Sequence, residues 1–145
     1  MVKLILVRHA LTVDNQKSRL SGHIDSSISE EGKEQIDKIT NYLKDFDIDK
    51  IYTTTSSRTK DTVKKLSELK SIEIIEKESL KEIIFGDFEG LTFDEIKDKY
   101  YNSTVLIVSH GATIRALHYV ISGYNEDTNF LDTKTPNCCV FEYDI

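Results

Sequence analysis

The stretch Leu4-Ile5-Leu6-Val7-Arg8-His9-Ala10 decides the fold of this chain. Four apolar residues follow one another without a polar interruption, which is typical of a strand buried on both faces at the centre of a parallel sheet. The run then ends abruptly in an arginine and a histidine. Because ligands of open α/β sheets bind beyond the carboxyl ends of the strands, Arg8 and His9 are candidate site residues.

A second stretch repeats this design later in the chain. It reads Val105-Leu106-Ile107-Val108-Ser109-His110-Gly111, an apolar run that again ends in a histidine, and a candidate helix follows it. If the two strands lie side by side and parallel, both histidines and Arg8 converge at one edge of the sheet. One histidine at a strand end is commonly an ordinary structural residue, whereas the pair indicates a shared site.

Length and charge narrow the class of protein. A chain of 145 residues can bury its own core, and we expect one domain over residues 1–145. The formal net charge of −6 argues against nucleic acid as the main partner. An acidic protein that handles anions must concentrate its cations locally, and arginine matches phosphate oxygens better than lysine does. The four arginines are Arg8, Arg19, Arg58 and Arg115.

The cysteines and the apolar runs indicate the compartment. Cys138 and Cys139 are neighbours in a predicted strand, where they should point to opposite faces. A disulfide framework is therefore not expected, and a cytoplasmic location fits. The first apolar run is too short for the core of a signal peptide, and no run is long enough to span a membrane.

The histidines lack cysteine or carboxylate partners at metal-ligand spacing, so we expect no metal and no other cofactor.

Strands alternate with helices along the whole chain. The predicted elements after the first strand are a long polar loop over 11–28, a helix capped by Ser29, a strand over 51–55, a helix capped by Ser56 or Ser57, a strand over 72–75, a short helix over 92–100, a helix over 112–122 and a last strand over 139–143. The residues expected to face the sheet are Ile36, Ile39, Leu43, Val63, Leu66, Leu69, Ile114, Leu117 and Ile121. Pro136 suits an edge position for the last strand. This pattern predicts an α/β domain of three α/β/α layers with a mostly parallel sheet.

Motifs in a fixed order connect these elements. They are Arg8-His9-Ala10-Leu11-Thr12 with Asn15, Ser21-Gly22 with Asp25, Thr53-Thr54-Thr55-Ser56-Ser57-Arg58, Glu82 with Phe85-Gly86-Asp87-Phe88-Glu89-Gly90, and Ser109-His110-Gly111 with Arg115. The ordered set resembles the histidine phosphatase superfamily, also called the phosphoglycerate mutase-like family, over nearly the whole chain. The chain departs from the family pattern at Ala10, where glycine is usual, and at Leu11, where an acidic or amide residue is usual.

The resemblance implies a phosphoglycerate mutase-like fold and a metal-independent phosphatase that hydrolyses phosphomonoesters through a phosphohistidine intermediate. In the family, the histidine matched by His9 becomes phosphorylated, and Glu82 matches the proton donor to the leaving oxygen. The residues expected to bind the phosphoryl oxygens are Arg8, Arg58 and His110, with Asn15 as an amide donor. The further substrate-binding residues expected are Thr12, Ser21, Gly22 and Gly111.

Phosphate chemistry sets the charge states that these residues need. Neutral imidazole is a nucleophile near pH 7, because its unperturbed pKa is about 6.5. His110 must be cationic to help, and a bound phosphate would raise its pKa. Glu82 must stay protonated until it is used, so burial and the nearby dianion should raise its pKa. Glu89 is the rival for that role, and we interpret it as structural.

Relatives in this superfamily usually carry a cap segment that this chain lacks, between the part matched by Phe85–Tyr100 and the second histidine strand. Without a cap, water should outcompete a second sugar-acid substrate, so we rank a phosphatase above phosphoglycerate mutase-type transfer. Two further functions fit the same motifs, namely a phosphoprotein (phosphohistidine) phosphatase and a non-catalytic phosphate-binding regulatory module. The expected partner is a small phosphorylated metabolite, with no nucleic acid and no membrane. Apolar residues at Phe93, Ile96 and Tyr100 also predict a homodimer, which would cover this face.

Overall fold

A five-stranded sheet forms the centre of the molecule. The computed structural model describes residues 2–17, 25–80, 98–125, 127–129 and 131–144. The strands are β1 (Lys3–Arg8), β2 (Lys50–Thr53), β3 (Ile74–Glu76), β4 (Thr104–Ser109) and β5 (Val140–Asp144). They lie in the order β3-β2-β4-β1-β5. The first four are parallel and β5 runs antiparallel to β1, so the prediction of a mostly parallel sheet is confirmed.

Helices cover both faces of this sheet. Among the described residues they are α1 (Val13–Gln16), α2 (Glu30–Leu43), α3 (Ser57–Lys70) and α4 (Gly111–Ser122), with one 3-10 turn at Glu78–Leu80. Residues from α2 and α3 pack on one face, in a first core cluster of Ile5, Val7, Ile39, Leu43, Ile48, Ile51, Val63, Leu66, Leu106 and Val108. Residues from α4 pack on the other, in a second core cluster of Val2, Leu4, Leu6, Leu80, Val105, Ile107, Ile114 and Leu117. The three-layer prediction is therefore confirmed.

The two histidine strands are buried on both faces because every residue of their apolar runs has a helix to pack against. Alternate side chains of a strand point to opposite faces. In β1, Ile5 belongs to the first core cluster and Leu6 to the second. The same alternation in β4 places Leu106 and Ile107 on opposite faces. The uninterrupted apolar runs are thus the signature of strands between two helical layers.

Some predicted boundaries are wrong, each for a local reason. The strand expected over 72–75 is shifted, because Ser71 adopts a left-handed backbone with φ of 56° and ends α3. The last strand begins at Val140, because Cys138 has φ of 55° and lies in a turn. Leu69 was expected to face the sheet, yet it is 62% exposed at the end of α3.

The cysteines still lie toward opposite faces of the sheet. Cys138 packs against the first core cluster and Cys139 against the second. Both cysteines are free thiols. Within the parts of the chain that the structure describes, no helix is long and apolar enough to cross a membrane.

The start of α2 holds the loop that follows β1. The Ser29 side chain caps the helix by accepting a hydrogen bond from Gly32 N at 3.1 Å. The Ser29 hydroxyl also donates to the Leu11 carbonyl oxygen at 3.1 Å. Gln35 Oε1 accepts from Leu11 N at 2.8 Å, so α2 binds both backbone groups of this residue. Gly32 permits this approach, since a Cβ there would collide with the Leu11 carbonyl oxygen.

Gly32→Ala should therefore destabilise the fold, by about 1–3 kcal/mol as for other overpacked sites. Alanine would otherwise stabilise a helix interior by about 0.5–1 kcal/mol, so the two explanations predict opposite signs. Urea unfolding measures the change. Glu34→Ala, at an exposed position of the same helix, is the control and should stay near wild type. A Gly32→Ala protein more stable than wild type would show that α2 and Leu11 are not in close contact.

Candidate active site

The pairing of β1 with β4 brings the two histidines together. Arg8 lies opposite Ser109 in the parallel register, so both strands end at the same level. His9 N donates to the Ser109 carbonyl oxygen at 3.0 Å, which extends the pairing by one residue. The imidazole rings of His9 and His110 lie 5.4 Å apart, centroid to centroid. The sequence predicted this convergence from the two strand ends.

His9 is held as a neutral imidazole with a defined tautomer. Its Nδ1 lies 2.8 Å from the Ala10 carbonyl oxygen, which can only accept, so Nδ1 carries the proton. Burial, together with the charges of His110, Arg58 and Arg8, lowers the pKa of His9 to about 3, against the opposing effect of that hydrogen bond. Nε2 therefore keeps its lone pair at neutral pH, as a nucleophile requires.

His110 is also neutral. Arg58 Nη2 lies 3.4 Å from His110 Nδ1, and a guanidinium can only donate, so Nδ1 accepts. The Nε2 proton then points to Thr54 Oγ1 at 3.4 Å. Burial and the charges of Arg58 and Arg8 lower the pKa of His110 to about 4, against the opposing charge of Asp25. The cationic His110 expected from the sequence is not the form that these neighbours favour, although a phosphate dianion beside the ring would oppose them.

Arg58 enters the site from the first turn of α3. Its side chain is almost fully buried, and Nη1 lies 3.7 Å from Asp25 Oδ1. The Asp25 carboxylate also accepts from Ser57 N at 2.8 Å. Burial raises the pKa of Asp25, but the hydrogen bonds from Ser57 and the charge of Arg58 outweigh it and lower the pKa overall. This exposed carboxylate only partly compensates the guanidinium charge, which suits a site for an anion.

Arg8 lies against Gly111 at the start of α4. Its Nη1 donates to the Thr135 carbonyl oxygen at 2.7 Å. Arg8 Nε is buried and has no hydrogen-bond partner among the described residues. A Cβ at position 111 would lie 3.2 Å from both Arg8 Nε and Thr135 Oγ1, so glycine makes room for the guanidinium. Arg115 supports the same loop, donating from Nη2 to Thr135 Oγ1 at 3.2 Å.

Asn15 and Thr12 form a capping box at the start of α1. Asn15 N donates to Thr12 Oγ1 at 3.2 Å, and Thr12 N donates to Asn15 Oδ1 at 3.3 Å. Thr12 is fully buried, so the contacts described for its hydroxyl are with the protein. The oxygen of the Asn15 side chain is engaged by the protein, which leaves the amide nitrogen as its donor.

Ala10 and Leu11 depart from the family pattern without disturbing the site. Ala10 is not among the non-glycine residues with positive φ, so its backbone does not require glycine. Ala10 N donates to Thr62 Oγ1 at 2.9 Å, and the Thr62 hydroxyl donates to the Arg58 carbonyl oxygen at 2.6 Å. This bridge ties the loop after β1 to the helix that carries Arg58.

The remaining predicted site residues lie outside the described residues: Ser21, Gly22 and Glu82, with Glu89 and Arg19. Several contacting residues were not assigned a role from the sequence. Among them are Thr54, which lies within a recognised motif, and Thr135 and Asn137, which follow no recognised motif. The only local signal for the last two was Pro136 before the edge strand. In the part of the chain that the structure describes, no three histidine, cysteine or carboxylate side chains could hold a metal ion together.

The match to a known family agrees with this geometry. The model of the histidine phosphatase superfamily (branch 1) matches residues 4–103 and 93–145. The chain belongs to this superfamily. The match divides near the place where the cap segment was expected to be missing.

Curated relatives are phosphatases and mutases. The chain is 31% identical to "Uncharacterized phosphatase PhoE" of Bacillus subtilis over 169 aligned positions, which cover 97% of this chain and 86% of the relative. It is 28% identical to phosphoserine phosphatase 1 of Hydrogenobacter thermophilus, covering 85% of this chain and 77% of that one. A 2,3-bisphosphoglycerate-dependent phosphoglycerate mutase of Parvibaculum lavamentivorans is 35% identical, over 72% of this chain and 52% of the mutase.

Solved structures share the fold. YhfR of Bacillus stearothermophilus superposes with a TM-score of 0.82 at 24% identity, covering 100% of this chain and 92% of that one. The phosphoserine phosphatase of Entamoeba histolytica gives 0.77 at 24% identity, covering 98% and 90%. The fold is thus phosphoglycerate mutase-like. With the family, these relatives make the protein a phosphomonoesterase that acts through a phosphohistidine intermediate.

The low pKa values of both site histidines should appear in an NMR titration of the imidazole resonances. We expect His9 and His110 to remain neutral at pH 5, because burial and the nearby arginines disfavour their cationic forms. Saturating phosphate should raise the pKa of His110, since a dianion stabilises the imidazolium.

Spectra of His9→Ala and His110→Ala assign the two resonances, and a histidine peptide in the same buffer is the reference. Titration of both rings near pH 6.5 in the absence of phosphate would contradict the burial argument.

The lowered pKa values of His9 and His110 also predict that the free energy of unfolding falls as the pH drops below about 6.5. The unfolded chain then binds protons that the folded site does not.

Proposed function

We propose that this phosphatase removes phosphate from small phosphorylated metabolites, with His9 as the nucleophile. The observation that carries the proposal is the state of His9. Its proton is held on Nδ1 by the Ala10 carbonyl oxygen, and its pKa is about 3. The Nε2 lone pair is therefore available at neutral pH in a site with two arginines.

The reaction has two steps. In the first, Nε2 of His9 attacks phosphorus, and the bond between phosphorus and the ester oxygen breaks as the new P–N bond forms. Glu82 is the proposed donor of the proton that the leaving oxygen takes. The ring becomes positively charged, and the Ala10 carbonyl oxygen at 2.8 Å from Nδ1 stabilises this charge. In the second, water attacks phosphorus and gives a proton to the Glu82 carboxylate, the P–N bond breaks, and neutral His9 and inorganic phosphate are released.

The surrounding donors stabilise the charge of the transferring group. Arg8 and Arg58 supply two fixed cations, which is the main contribution that phosphoryl transfer asks of a protein. His110 gains a proton when the phosphate dianion raises its pKa, and it then adds a third cation. The Asn15 amide nitrogen donates a further hydrogen bond. The proposed supporting residues are Thr12, through the Asn15 cap, Gly111, through the space it leaves for Arg8, and Ser21 and Gly22.

Hydrolysis is favoured over phosphoryl transfer to a second metabolite because the chain is short where relatives carry a cap. The alignment with the Bacillus subtilis relative spans 169 positions, more than the 145 residues of this chain. A site without a cap admits water, which is the acceptor in hydrolysis. A phosphoglycerate mutase activity remains the second candidate, because a mutase is among the curated relatives.

Two unpaired cysteines support the cytoplasm as the place of this reaction.

His9→Ala should lower the rate of p-nitrophenyl phosphate hydrolysis by about a thousandfold or more, as expected when a nucleophile is removed. Acid quenching of the wild-type reaction should trap one phosphoryl group on His9, seen by mass spectrometry of the peptide. His118→Ala is the matched control, since His118 hydrogen-bonds to Tyr143 of β5 rather than to a site residue, and this variant should keep its activity.

Several results would contradict the proposal. A His9→Ala protein with a tenth of wild-type turnover would remove His9 as nucleophile. Phosphate that passes mainly to added 3-phosphoglycerate rather than to water would favour the mutase. Phosphate binding without any turnover would favour a regulatory module, and activity only on phosphohistidine peptides would favour a phosphoprotein phosphatase.

A homodimer is the final part of the proposal. Phe93 and Ile96, two of the residues that predict it, lie outside the described residues. Tyr100 is partly buried against the second core cluster, whereas the neighbouring Tyr101 is 69% exposed. This exposed aromatic residue supports an apolar face that a second copy would cover.

Sedimentation at micromolar concentration should give twice the chain mass of 16.6 kDa. Tyr101→Ser should shift the protein toward the monomer, because it removes apolar surface from the proposed interface. Tyr124→Ser is the control, since Tyr124 is equally exposed after α4. A clean wild-type monomer would mean that this face needs no partner.

A further inference from the structure

The turn before β5 contacts the end of the catalytic strand. Cys138 N donates to the Arg8 carbonyl oxygen at 3.0 Å, and Arg8 N donates to the Cys139 carbonyl oxygen at 3.3 Å. Beside them, Asn137 Nδ2 donates to the His9 carbonyl oxygen at 2.8 Å. The main chain of the two motif residues is therefore held by a segment more than a hundred positions away.

The Asn137 side chain also reaches a second site residue. Its Nδ2 lies 3.3 Å from Asn15 Oδ1. Both partners of Nδ2 are acceptors, because one is the backbone carbonyl of His9 and the other is a side-chain oxygen. The NH2 group of an amide has two hydrogens and can donate to both, whereas the carboxylate of aspartate has none to donate.

The orientation of the Asn15 amide follows from these contacts. The N–H of Thr12 is a donor, so the Asn15 atom that it meets at 3.3 Å must be the oxygen. Asn137 donates to the same oxygen. With Oδ1 engaged twice, the NH2 group of Asn15 is directed away from them, and it has no hydrogen-bond partner among the described residues.

We propose that Asn137 is a positioning residue for phosphate binding: it holds the Asn15 amide with its NH2 group toward the phosphate, and it holds the backbone of His9. This inference rests on the roles proposed for His9 and Asn15. If the Asn15 amide turned over, a carbonyl oxygen would face the phosphoryl oxygens, and attraction would become repulsion. Asn137 thus acts on the substrate through another residue rather than by touching it.

Substitution of Asn137 by aspartate replaces the donor of both hydrogen bonds with an acceptor. A carboxylate at position 137 would face the two acceptors with no hydrogen to donate. The Asn15 amide can bond to this carboxylate only by turning its NH2 group toward it, which breaks the hydrogen bond from Thr12 N and presents the Asn15 oxygen to the phosphate. The added negative charge beside His9 would also raise the pKa of its imidazole, which a purely structural substitution would not do.

The experiment is a double-mutant cycle in which inorganic phosphate is the probe. Phosphate affinity is measured by calorimetry for the wild type, Asn15→Ala, Asn137→Ala and the double variant Asn15→Ala/Asn137→Ala. Asn137→Ala should weaken binding several-fold in the wild-type background and have little further effect when Asn15 is already alanine. Such non-additivity is the signature of one residue that acts through another.

Asn137→Asp is the sharper variant. It should weaken phosphate binding by about tenfold or more, the size expected when a hydrogen bond to a charged group is lost. In p-nitrophenyl phosphate hydrolysis, KM should rise more than kcat falls, and the acidic limb of the pH profile should move to higher pH. Asn125→Asp adds the same charge on an exposed loop, where Asn125 Oδ1 accepts from Asp127 N, and should leave binding unchanged.

The inference is overturned if Asn137→Ala weakens phosphate binding equally in both backgrounds, or if Asn137→Asp binds phosphate as the wild type does. Thermal melts show whether each variant is folded. If Asn137→Asp does not fold, the comparison of Asn137→Ala in the two backgrounds still tests the inference. A wild type that binds phosphate without turnover would contradict the proposed function, while the cycle would still decide whether Asn137 orients Asn15.

Discussion

The parallel pairing of β1 with β4 is the constraint on which the rest of the structure depends. Arg8 lies opposite Ser109, so the residues that follow, His9 and His110, leave the sheet at the same level. The register is held by burial, because both strands are packed on both faces and a slip of one residue would exchange the two sets of side chains. The energy that builds the core therefore also sets the distance between the two histidines.

Burial at this edge also determines the charges. Two arginines lie close to two imidazoles in a protein of net charge −6, so the local potential is opposite in sign to that of the whole chain. Desolvation and this local positive charge hold the pKa of His9 at about 3 and that of His110 at about 4. The same surroundings favour a neutral nucleophile and attract an anion. The binding of a phosphate then changes the balance at His110, since the dianion stabilises the cationic ring.

The connection into β4 lies at the edge of the sheet opposite the site, whereas the turn before β5 lies at the site itself. Before β4, Asn102 adopts a left-handed backbone with φ of 58°, and Ser103 N donates to the Tyr100 carbonyl oxygen at 2.9 Å. Asparagine tolerates this conformation better than most residues, so the chain turns directly into the strand. On the other side, β5 pairs antiparallel with β1, and the turn before it holds Arg8 and His9.

The amino-acid sequence by itself determined the class of fold, the two histidine strands, the start of α2 at Ser29 and the order of the family motifs. These features depend on local patterns, since an apolar run, a cap and a motif are each read from adjacent residues. The tertiary structure alone decided the exposure of Leu69, the tautomer of His110 and the contacts of Asn137. Burial and hydrogen-bond partners come from residues far apart in the chain, and no local pattern records them.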